Sequence, residues 1–458
     1  MQVPIAGSQM SQSVYERETL SGKQKFLITI SALAQMIDFL DFFLISFVLT
    51  FIIKPWGLTV AQTTLILLSA GIGASLGSFI CGAVADRVGR RPVFLATILL
   101  FTVCTGLLGV IPTGSWILLT VLRFFVGFGA TGMYSVNIPL LQEFMPTSRR
   151  GFASGFVAMF IPVGVMLGST IVASIGMTVG WRGLFGIGFA LGAALLCFAW
   201  LVPESPMWLA SRGLKVKAQH SLAWATGRPS TDISERDIAE EPKREHVRLA
   251  ELFSHPRKLV VSWVGVLGAQ VAYHGLTLWA PVLLVLVLHT TPSKAAFLLI
   301  FCNLADVCAR FVFARMSDKV GRRLIGVLQG FLGSAMLVIA SLSTNHFIQG
   351  VSVFWLMLIV TYVFVSGGFA VTVPYVAEIW PSRLRATGLG SAYGVGSLGK
   401  VIGPLGLGLM LGSSNLLSPT ASADAVVPAF CYLAAWGLLT GLVFLFLAEE
   451  TKGRDLTN

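Results

Sequence analysis

The chain has 458 residues, of which 55% are hydrophobic and 12% are charged. Soluble domains carry about 25% charged residues, so this composition argues against a soluble globular protein. The mean hydropathy is +0.81, and apolar runs of about twenty residues, the length that crosses a bilayer, recur along the chain. The sequence therefore predicts an all-α membrane protein. The net charge of +11 would also fit a nucleic-acid or other anionic partner, so the positions of the charges decide between these interpretations.

Apolar stretches separated by polar breaks predict twelve transmembrane helices. The predicted spans cover residues 25–52, 62–85, 92–111, 115–142, 151–178, 183–202, 259–288, 293–314, 324–343, 347–377, 386–411 and 427–447. Residues 1–24 are polar and lack the apolar core and cleavage site of a signal peptide, so we expect no cleaved leader.

The basic residues divide unevenly between the two sides of the predicted bundle. Lys54, Arg182 and Lys294 are the basic residues in one set of loops, three more lie inside spans, and 26 of the 32 lie on the other side. By the positive-inside rule, both termini are predicted to be cytoplasmic. The net charge is therefore mostly a signal of orientation, and we expect no nucleic-acid partner.

All six cysteines lie in apolar spans, and none has a metal-type CxxC spacing. Because a free cysteine in such a position behaves as a small hydrophobe, no disulfide, metal site or cofactor is predicted.

Two acidic residues lie near the middle of span 1. An ionisable group at this depth costs about 2.5–3.5 kcal/mol on insertion scales, so each one needs a partner or a task. Asp38 and Asp41 are three residues apart and share a helix face. Because two nearby carboxylates repel each other, one of them takes up a proton more readily, which a proton-coupling site requires. The alternative is that one acid only neutralises an arginine.

Arg123 in span 4 is predicted to reach the level of Asp41. Protonation of the aspartate would release the arginine, and deprotonation would form the pair again. This exchange would couple a proton to a helix movement, whereas the alternative is a permanent structural salt bridge.

The chain contains an internal duplication. The segment Gly82-Ala-Val-Ala-Asp86-Arg87-Val-Gly89-Arg90-Arg91 after span 2 recurs as Ala314-Arg-Met-Ser-Asp318-Lys319-Val-Gly321-Arg322-Arg323 after span 8, an offset of 232 residues. A second set after span 4 recurs after span 10 at an offset of 235: Pro139, Glu143, Pro146 and Arg150, then Pro374, Glu378, Pro381 and Arg385. Two motif pairs at nearly one offset predict two six-helix halves, residues 1–202 and 259–458. A solvated cytoplasmic linker with short helices, residues 203–258, is expected to join them.

The repeated turns are candidate conformational latches. Gly89 lets the backbone reverse, Asp86 is placed to cap a helix or pair with an arginine, and Arg90 and Arg91 are expected to face lipid phosphates. A plain basic loop would explain the arginines but not the Asp and Gly at one spacing in both halves. Glu143 is expected to pair with Arg149 or Arg150, and Glu378 with Arg383 or Arg385. The candidate latch residues are Gly82, Asp86, Arg87, Gly89, Arg90, Arg91, Asp318, Gly321, Arg322, Arg323, Glu143, Arg150, Glu378 and Arg385.

Polar residues in the second half are candidates for ligand binding. Lys400 in span 11 follows several glycines that open room for a ligand, so it is a candidate anion site. Its alternative partner is Asp306 of span 8, which we also expect to be neutralised by Arg310, four residues further on.

Span 7 supplies Gln270, Tyr273 and His274 near one face, as a small polar ligand needs. For His274, helix packing or a hydrogen bond within the bundle is an equal alternative. The remaining substrate-binding candidates are Tyr134, Asn137 and Tyr393.

The chain resembles the major facilitator superfamily of transporters over essentially its whole length. The resemblance rests on the turn motif and its copy, on Arg123-Phe-Phe-Val-Gly127, on Pro203-Glu204-Ser205-Pro206 and on Glu450-Thr451-Lys452-Gly453. The last two motifs resemble sugar-porter and related metabolite branches. The resemblance implies two six-helix bundles that rock about a central site, and Arg123 matches an arginine implicated in proton-coupled members. Because Ala314 and Lys319 depart from the pattern, a weaker second latch is expected.

The substrate prediction combines this resemblance with the charges. Asp38-Phe-Leu-Asp41 resembles the DxxD signature of aromatic-acid:proton symporters, although Phe39 replaces the usual glycine. Sugar porters carry more Gln and Asn in span 7 than Gln270 alone. With Lys400 and Arg123 as cations, we expect proton symport of a small organic acid, including aromatic carboxylates, by a monomer in a bacterial inner membrane.

Three other functions stay open: a proton-coupled sugar or polyol symporter, a drug/proton antiporter, and a non-transporting nutrient receptor. An enzyme is not expected, because the sequence has no nucleophile-base, metal-binding or phosphate-binding constellation.

Overall fold

The computed structural model describes residues 20–146, 149–233, 249–381, 384–411 and 425–452. These residues are almost entirely helical. The helices up to residue 226 are α1 (Gly22–Trp56), α2 (Val60–Val88), α3 (Arg90–Leu108), α4 (Trp116–Glu143), α5 (Arg150–Ala158), α6 (Phe160–Ala199), α7 (Pro206–Ser211) and α8 (Lys215–Thr226). The later helices are α9 (Pro256–Leu288), α10 (Pro292–Val320), α11 (Arg322–Leu342), α12 (Val353–Gly367), α13 (Phe369–Ile379), α14 (Arg385–Ser397), α15 (Gly399–Leu411) and α16 (Val426–Phe446). Residues Ser230–Asp232 and Leu249–Ser254 form short 3₁₀ helices.

Ten helices of the described chain are long and apolar enough to cross a membrane. Helices α5 and α6 together make one of these ten, Arg150–Ala199, with 50 residues. At 1.5 Å per residue its length is about 75 Å, more than twice the thickness of a bilayer core. Gly180 interrupts it with φ 63° and ψ −178°, so this element supplies two predicted spans. The apolar helix α12, continued by α13, supplies the twelfth. The predicted twelve-helix, two-bundle fold is confirmed.

The predicted start of span 10 at residue 347 is wrong. Residues Phe347–Ile348 (β1) and Val351–Ser352 (β2) form an antiparallel hairpin. The turn between them contains Gln349 with φ 50° and Gly350 with φ 80°, the left-handed conformation of a two-residue hairpin turn. The helix starts only at Val353, where the Ser352 hydroxyl accepts a hydrogen bond from the Trp355 amide at 3.4 Å.

The sharp turn between α1 and α2 follows from its local sequence. Gly57 ends α1 with φ 60°, a conformation that glycine adopts without a steric penalty. Thr59 then starts α2 in a capping box with Gln62, in which the hydroxyl accepts from the Gln62 amide at 3.2 Å and the Thr59 amide donates to the Gln62 side chain at 3.0 Å.

Glycines allow helices to approach closely within each half. A methyl group at Gly73 of α2 would lie 1.9 Å from the Phe124 carbonyl oxygen of α4, and one at Gly330 of α11 would lie 2.4 Å from Gly441 of α16. Small residues at such positions let transmembrane helices pack backbone to backbone.

The two halves meet across the middle of the bundle and at the end where α1 passes into α2, here called the far end. Asn303 of α10 donates to Ser169 of α6 at 2.8 Å, and Ser293 donates to the Val172 carbonyl at 3.3 Å. At the opposite end, which carries Gly89 and Gly321 and is here called the motif end, the Asp86 and Asp318 side chains are 74% and 68% exposed. The described hydrogen bonds between the halves therefore lie in the middle of the bundle and toward the far end.

Candidate transport site and latch network

The first repeated turn is held by a carboxylate from a distant part of the chain. Gly89 precedes α3 with φ 118° and has no side chain to cap that helix. Glu204 fills this role, because its Oε1 accepts hydrogen bonds from the amides of Arg90 and Arg91 at 3.0 and 3.1 Å. A negative charge at a helix N-terminus satisfies donors that have no partner within the helix.

The second turn repeats this arrangement. Gly321 precedes α11 with φ 120°, and Glu450 accepts from the amides of Arg322 and Arg323 at 2.9 and 3.1 Å. Burial acts to raise the pKa of Glu450, but four backbone donors, from these residues and from Thr451 and Lys452, bring it below its ordinary value.

Each cluster extends to a second glutamate at the end of a neighbouring helix. In the first half, Glu143 pairs with Arg90 at 2.8 Å and accepts a hydrogen bond from the Ser205 hydroxyl. In the second half, Glu378 pairs with Arg322 at 2.7 Å and accepts from the Thr451 hydroxyl at 2.6 Å.

The arginines differ from the prediction. Arg90 was expected at the lipid surface but faces Glu143, and Arg91 donates to the Trp200 carbonyl at 2.8 Å. Among the described residues, each turn acid forms its ion pair within its own turn: Asp86 lies 3.9 Å from Arg90, and Asp318 lies 3.1 Å from Arg322. The clusters therefore tie helices together within each half.

The remaining predicted latch residues lie nearby. Arg87 accepts a hydrogen bond from Arg212 through its carbonyl at 2.7 Å, and Arg150 donates to the Met145 carbonyl at 3.3 Å. Arg323 donates to the Leu445 carbonyl at 2.6 Å. Arg385 begins α14, whereas Arg383 and Gly453 lie outside the described residues.

In the centre of the bundle, Arg123 of α4 forms an ion pair with Asp41 of α1 at 3.0 Å, and both side chains are fully buried. Arg123 also donates to the carbonyls of Asp41 and Phe42 at 3.2 Å each, and Thr105 of α3 donates to Asp41 at 3.1 Å. These bonds tie three helices together around one carboxylate.

Asp38 lies one turn nearer the motif end and has a different environment. It is 5% exposed, and Gln35 donates to it at 3.4 Å, a long hydrogen bond. Tyr134 of α4 interacts with Asp38 electrostatically and is 37% exposed, although it lies in the middle of its helix.

Lys400 approaches the same region from the other half of the molecule. Its ammonium nitrogen lies 5.3 Å from the centre of the Phe42 ring, within the range of a cation–π contact, and it interacts electrostatically with Asp38. The α2 backbone fixes its position closely, since a methyl group at Gly71 would lie 2.6 Å from the Lys400 carbonyl oxygen.

An aromatic cluster packs beside Lys400 and Asp38 on the far-end side. The rings of Phe42 and Phe43 from α1 contact His274 of α9 at centroid distances of 6.0 and 6.1 Å, and Tyr273 lies 5.1 Å from the same imidazole. His274 Nδ1 lies 3.0 Å from the Gln270 carbonyl oxygen. A hydrogen bond there makes Nε2 the acceptor, and this buried atom has no partner among the described residues.

Arg310 and Asp306 of α10 lie on the opposite side of the cluster. Arg310 donates to Asp306 at 2.7 Å, and its guanidinium lies 5.4 Å from the Phe369 ring and 5.9 Å from the Tyr273 ring. The expectation that Asp306 and Arg310 neutralise each other agrees with this geometry, in which Asp306 is not the partner of Lys400.

The remaining substrate-binding candidates, Gln270, Tyr393 and Asn137, lie in different surroundings. Gln270 carries a buried side-chain oxygen without a partner in the described chain. Tyr393 of α14 interacts electrostatically with Tyr134 of the first half and with Arg310 of the second. Asn137 donates to the Ser31 carbonyl at 3.2 Å and so links α4 to α1.

Sequence reasoning missed several residues of both regions. Phe42, Phe43 and Phe369 look like any apolar residue of a membrane span. Glu204 and Glu450 were noticed only as parts of motifs, although each follows the last helix of its half, and that shared position was an available signal.

Two six-helix bundles, repeated turn motifs and a polar centre lined by both bundles define a membrane transporter of the major facilitator type. The chain belongs to the family described as "Sugar (and other) transporter", whose model matches residues 5–458.

Two curated relatives cover nearly the whole chain. The niacin transporter NiaP of Acinetobacter baylyi is 28% identical over 94% of this chain and 95% of its own length. The cis,cis-muconate transport protein of the same species is 26% identical over 93% of this chain and 95% of its own length. These relatives are transporters, and the protein described here is accordingly a metabolite transporter rather than an enzyme.

Among solved structures, the partially occluded inward-open xylose transporter XylE of Escherichia coli superposes with a TM-score of 0.72. The two chains are 18% identical, and the superposition covers 95% of this chain and all of XylE. At this identity the likeness establishes the fold alone.

Proposed function

We propose that the protein takes up a small organic acid together with protons by alternating access. The observation that carries this proposal is the setting of Lys400, a cation near the middle of the apolar span Thr387–Leu411 that forms no ion pair in the described part of the chain. Because an unpaired charge at this depth is costly, such a lysine favours an anionic ligand.

The aromatic cluster beside Lys400 supports a flat ligand, because Phe42, Phe43 and Tyr273 bring their rings together there in edge-to-face pairs. Few polar groups among many aromatic ones are typical of small-molecule sites.

The names of the relatives agree with this ligand class. Niacin and cis,cis-muconate are both planar, conjugated carboxylates, and both named relatives align over nearly the whole chain. We therefore place planar carboxylates ahead of sugars and polyols.

Proton coupling is assigned to the acidic pair of α1, Asp38 and Asp41, one of which carries the proton, together with Arg123. The latch clusters around Glu204 and Glu450 are assigned to the rigidity of the two halves during rocking. We further propose that the protein works as a monomer in a bacterial inner membrane with both termini in the cytoplasm.

Uptake by the purified protein in liposomes tests the proposal. With an alkaline lumen, labelled nicotinate, benzoate or cis,cis-muconate should accumulate beyond the level reached in protein-free liposomes under the same pH gradient, and dissipating the gradient should abolish this excess. Labelled xylose is the control for the sugar-porter alternative. Accumulation of xylose without accumulation of any of the three acids would contradict the proposal.

A further inference from the structure

We propose that Asp38 and the carboxylate of the substrate compete for Lys400, so that the anion binds when Asp38 carries a proton. The inference rests on the proposed function and deepens it, because it assigns the coupled proton to one of the two acids of α1.

The two acids differ in how many of their carboxylate oxygens accept hydrogen bonds. Both oxygens of Asp41 accept hydrogen bonds, one from Arg123 at 3.0 Å and the other from Thr105 at 3.1 Å, inside a fully buried cluster. An anion has no route to Arg123 through this cluster. Asp38 has one long hydrogen bond from Gln35 at 3.4 Å and no ion pair among the described residues.

Lys400 and Asp38 face each other from different halves of the molecule. Phe42, over which the Lys400 ammonium lies at 5.3 Å, is four residues from Asp38 and therefore on the same face of α1. The two charges attract each other without closing to an ion pair in this structure. Lys400 is thus shared between a fixed carboxylate and the space in which a ligand carboxylate would lie.

The charge balance explains why proton and anion should move together. In the empty state, ionised Asp38 and Lys400 sum to zero, and with one proton on Asp38 and one carboxylate on Lys400 the sum is again zero. A proton alone leaves one positive charge, and a carboxylate alone leaves one negative charge. Since an unbalanced charge in a low-dielectric interior is costly, the empty and doubly loaded states are favoured for reorientation. One proton then accompanies each monoanion.

The other ionisable groups around these two residues leave this balance unchanged. On α1, Asp41 is neutralised by Arg123 of α4. Tyr134 of α4 is a neutral phenol, and Arg310 of α10 is neutralised by Asp306. His274 of α9 interacts electrostatically with Lys400. Its Nδ1 forms a hydrogen bond within its own helix, which leaves Nε2 as an acceptor. Asp38 is left as the acid that opposes Lys400.

Binding measured against pH tests the inference, with nicotinate and benzoate as probes and the purified full chain in detergent. The expected result for the unmodified protein is an apparent Kd that rises about tenfold per pH unit over the range in which Asp38 loses its proton, because one proton is bound with each anion. The Asp38→Asn variant should bind both acids with an affinity that is independent of pH.

Asp41→Asn tests the other acid of the pair on the same helix. Provided that it keeps a cooperative thermal transition, it should retain the pH dependence of binding, because the inference places the coupled proton on Asp38. Lys400→Gln supplies a second, independent variant, which should lose acid binding by more than tenfold at every pH. In liposomes, Asp38→Asn should lose pH-driven accumulation and keep exchange of labelled for unlabelled acid.

The possible failures are distinguishable. If Asp38→Asn keeps the original pH dependence, or Asp41→Asn alone abolishes it, the inference is overturned and the proposed function stands. If Lys400→Gln binds the acids undiminished, competition for Lys400 is likewise overturned. If no carboxylate binds the unmodified protein at any pH, the inference and the proposed function fail together.

Discussion

The two halves of the molecule are nearly alike at the motif end and unlike at the centre. At the motif end each half has a glycine of φ near 120° before a helix, a distant glutamate on the helix amides, and an arginine paired with a second glutamate. At the centre, the first half pairs Arg123 with Asp41 between two helices, whereas the second half pairs Arg310 with Asp306 within one helix.

This difference separates two tasks. The duplicated clusters hold helices in fixed relation within each half, a task that both halves share. The central charges deal with ligand and proton, and a ligand that binds between two halves meets a different surface on each side. Divergence is therefore expected at the centre, where Lys400 and Arg310 belong to one half and Asp38 and Asp41 to the other.

The largest loss of stability is expected when the central ion pair of the first half is broken. Arg123→Gln leaves Asp41 buried beside Thr105 without a countercharge, which typically costs about 3–5 kcal/mol. Arg310→Gln is the matched variant of the second half. The side chains of Arg310 and Asp306 are 20% and 3% exposed, against 0% for both members of the first pair, so water is nearer to the remaining carboxylate and the loss should be smaller. Thermal unfolding in detergent compares the two, and an equal or larger loss for Arg310→Gln would remove the distinction drawn between the two pairs.

An intermediate loss of stability is expected when the glycine of either repeated turn is replaced by alanine. Gly89→Ala would force an L-alanine into φ 118°, which residues with a side chain rarely adopt, and would place its methyl group 2.4 Å from Glu204 Oε2; Gly321 has the same geometry against Glu450. The backbone strain alone is about 1–3 kcal/mol, and the glutamate must leave the helix amides.

Gly82→Ala is the control within the same motif. A methyl group there would meet no atom within 4 Å, so stability should change by less than about 0.5 kcal/mol or rise slightly through helix propensity. The alanine at the equivalent position 314 is explained in the same way, and it gives no reason to expect a weaker second latch. A comparable loss for both substitutions at positions 82 and 89 would contradict the steric argument.

Much of the fold could be predicted from the sequence, because hydropathy and repeated motifs are local signals. The twelve helices, the turns at Gly89 and Gly321, and the nearness of Arg123 to Asp41 follow from spacing along the chain. The helix amides that Glu204 and Glu450 cap could not be predicted in this way, since they lie more than a hundred residues away along the chain and leave no side-chain signature. The unlike surroundings of Asp38 and Asp41 arise from α3, α4 and α15, which a spacing of three residues on α1 does not encode.

The smallest effect is expected from neutralising a capping glutamate, and it depends on pH. Because the pKa of Glu450 lies below its ordinary value of 4.5, its ionised form stabilises the folded state. This contribution is fully present above pH 4.5 and is lost as the pH falls through the lower folded-state value. Glu450→Gln should therefore lower stability at neutral pH by about 1 kcal/mol, the usual cost of a lost helix cap. The difference from the unmodified protein should narrow as the solution is acidified below pH 4.5, with Glu204→Gln as the equivalent variant of the first half. Melting curves recorded from neutral to acidic pH measure this difference, and a gap that widens on acidification would show that the carboxylate of Glu450 does not act as an ionised cap.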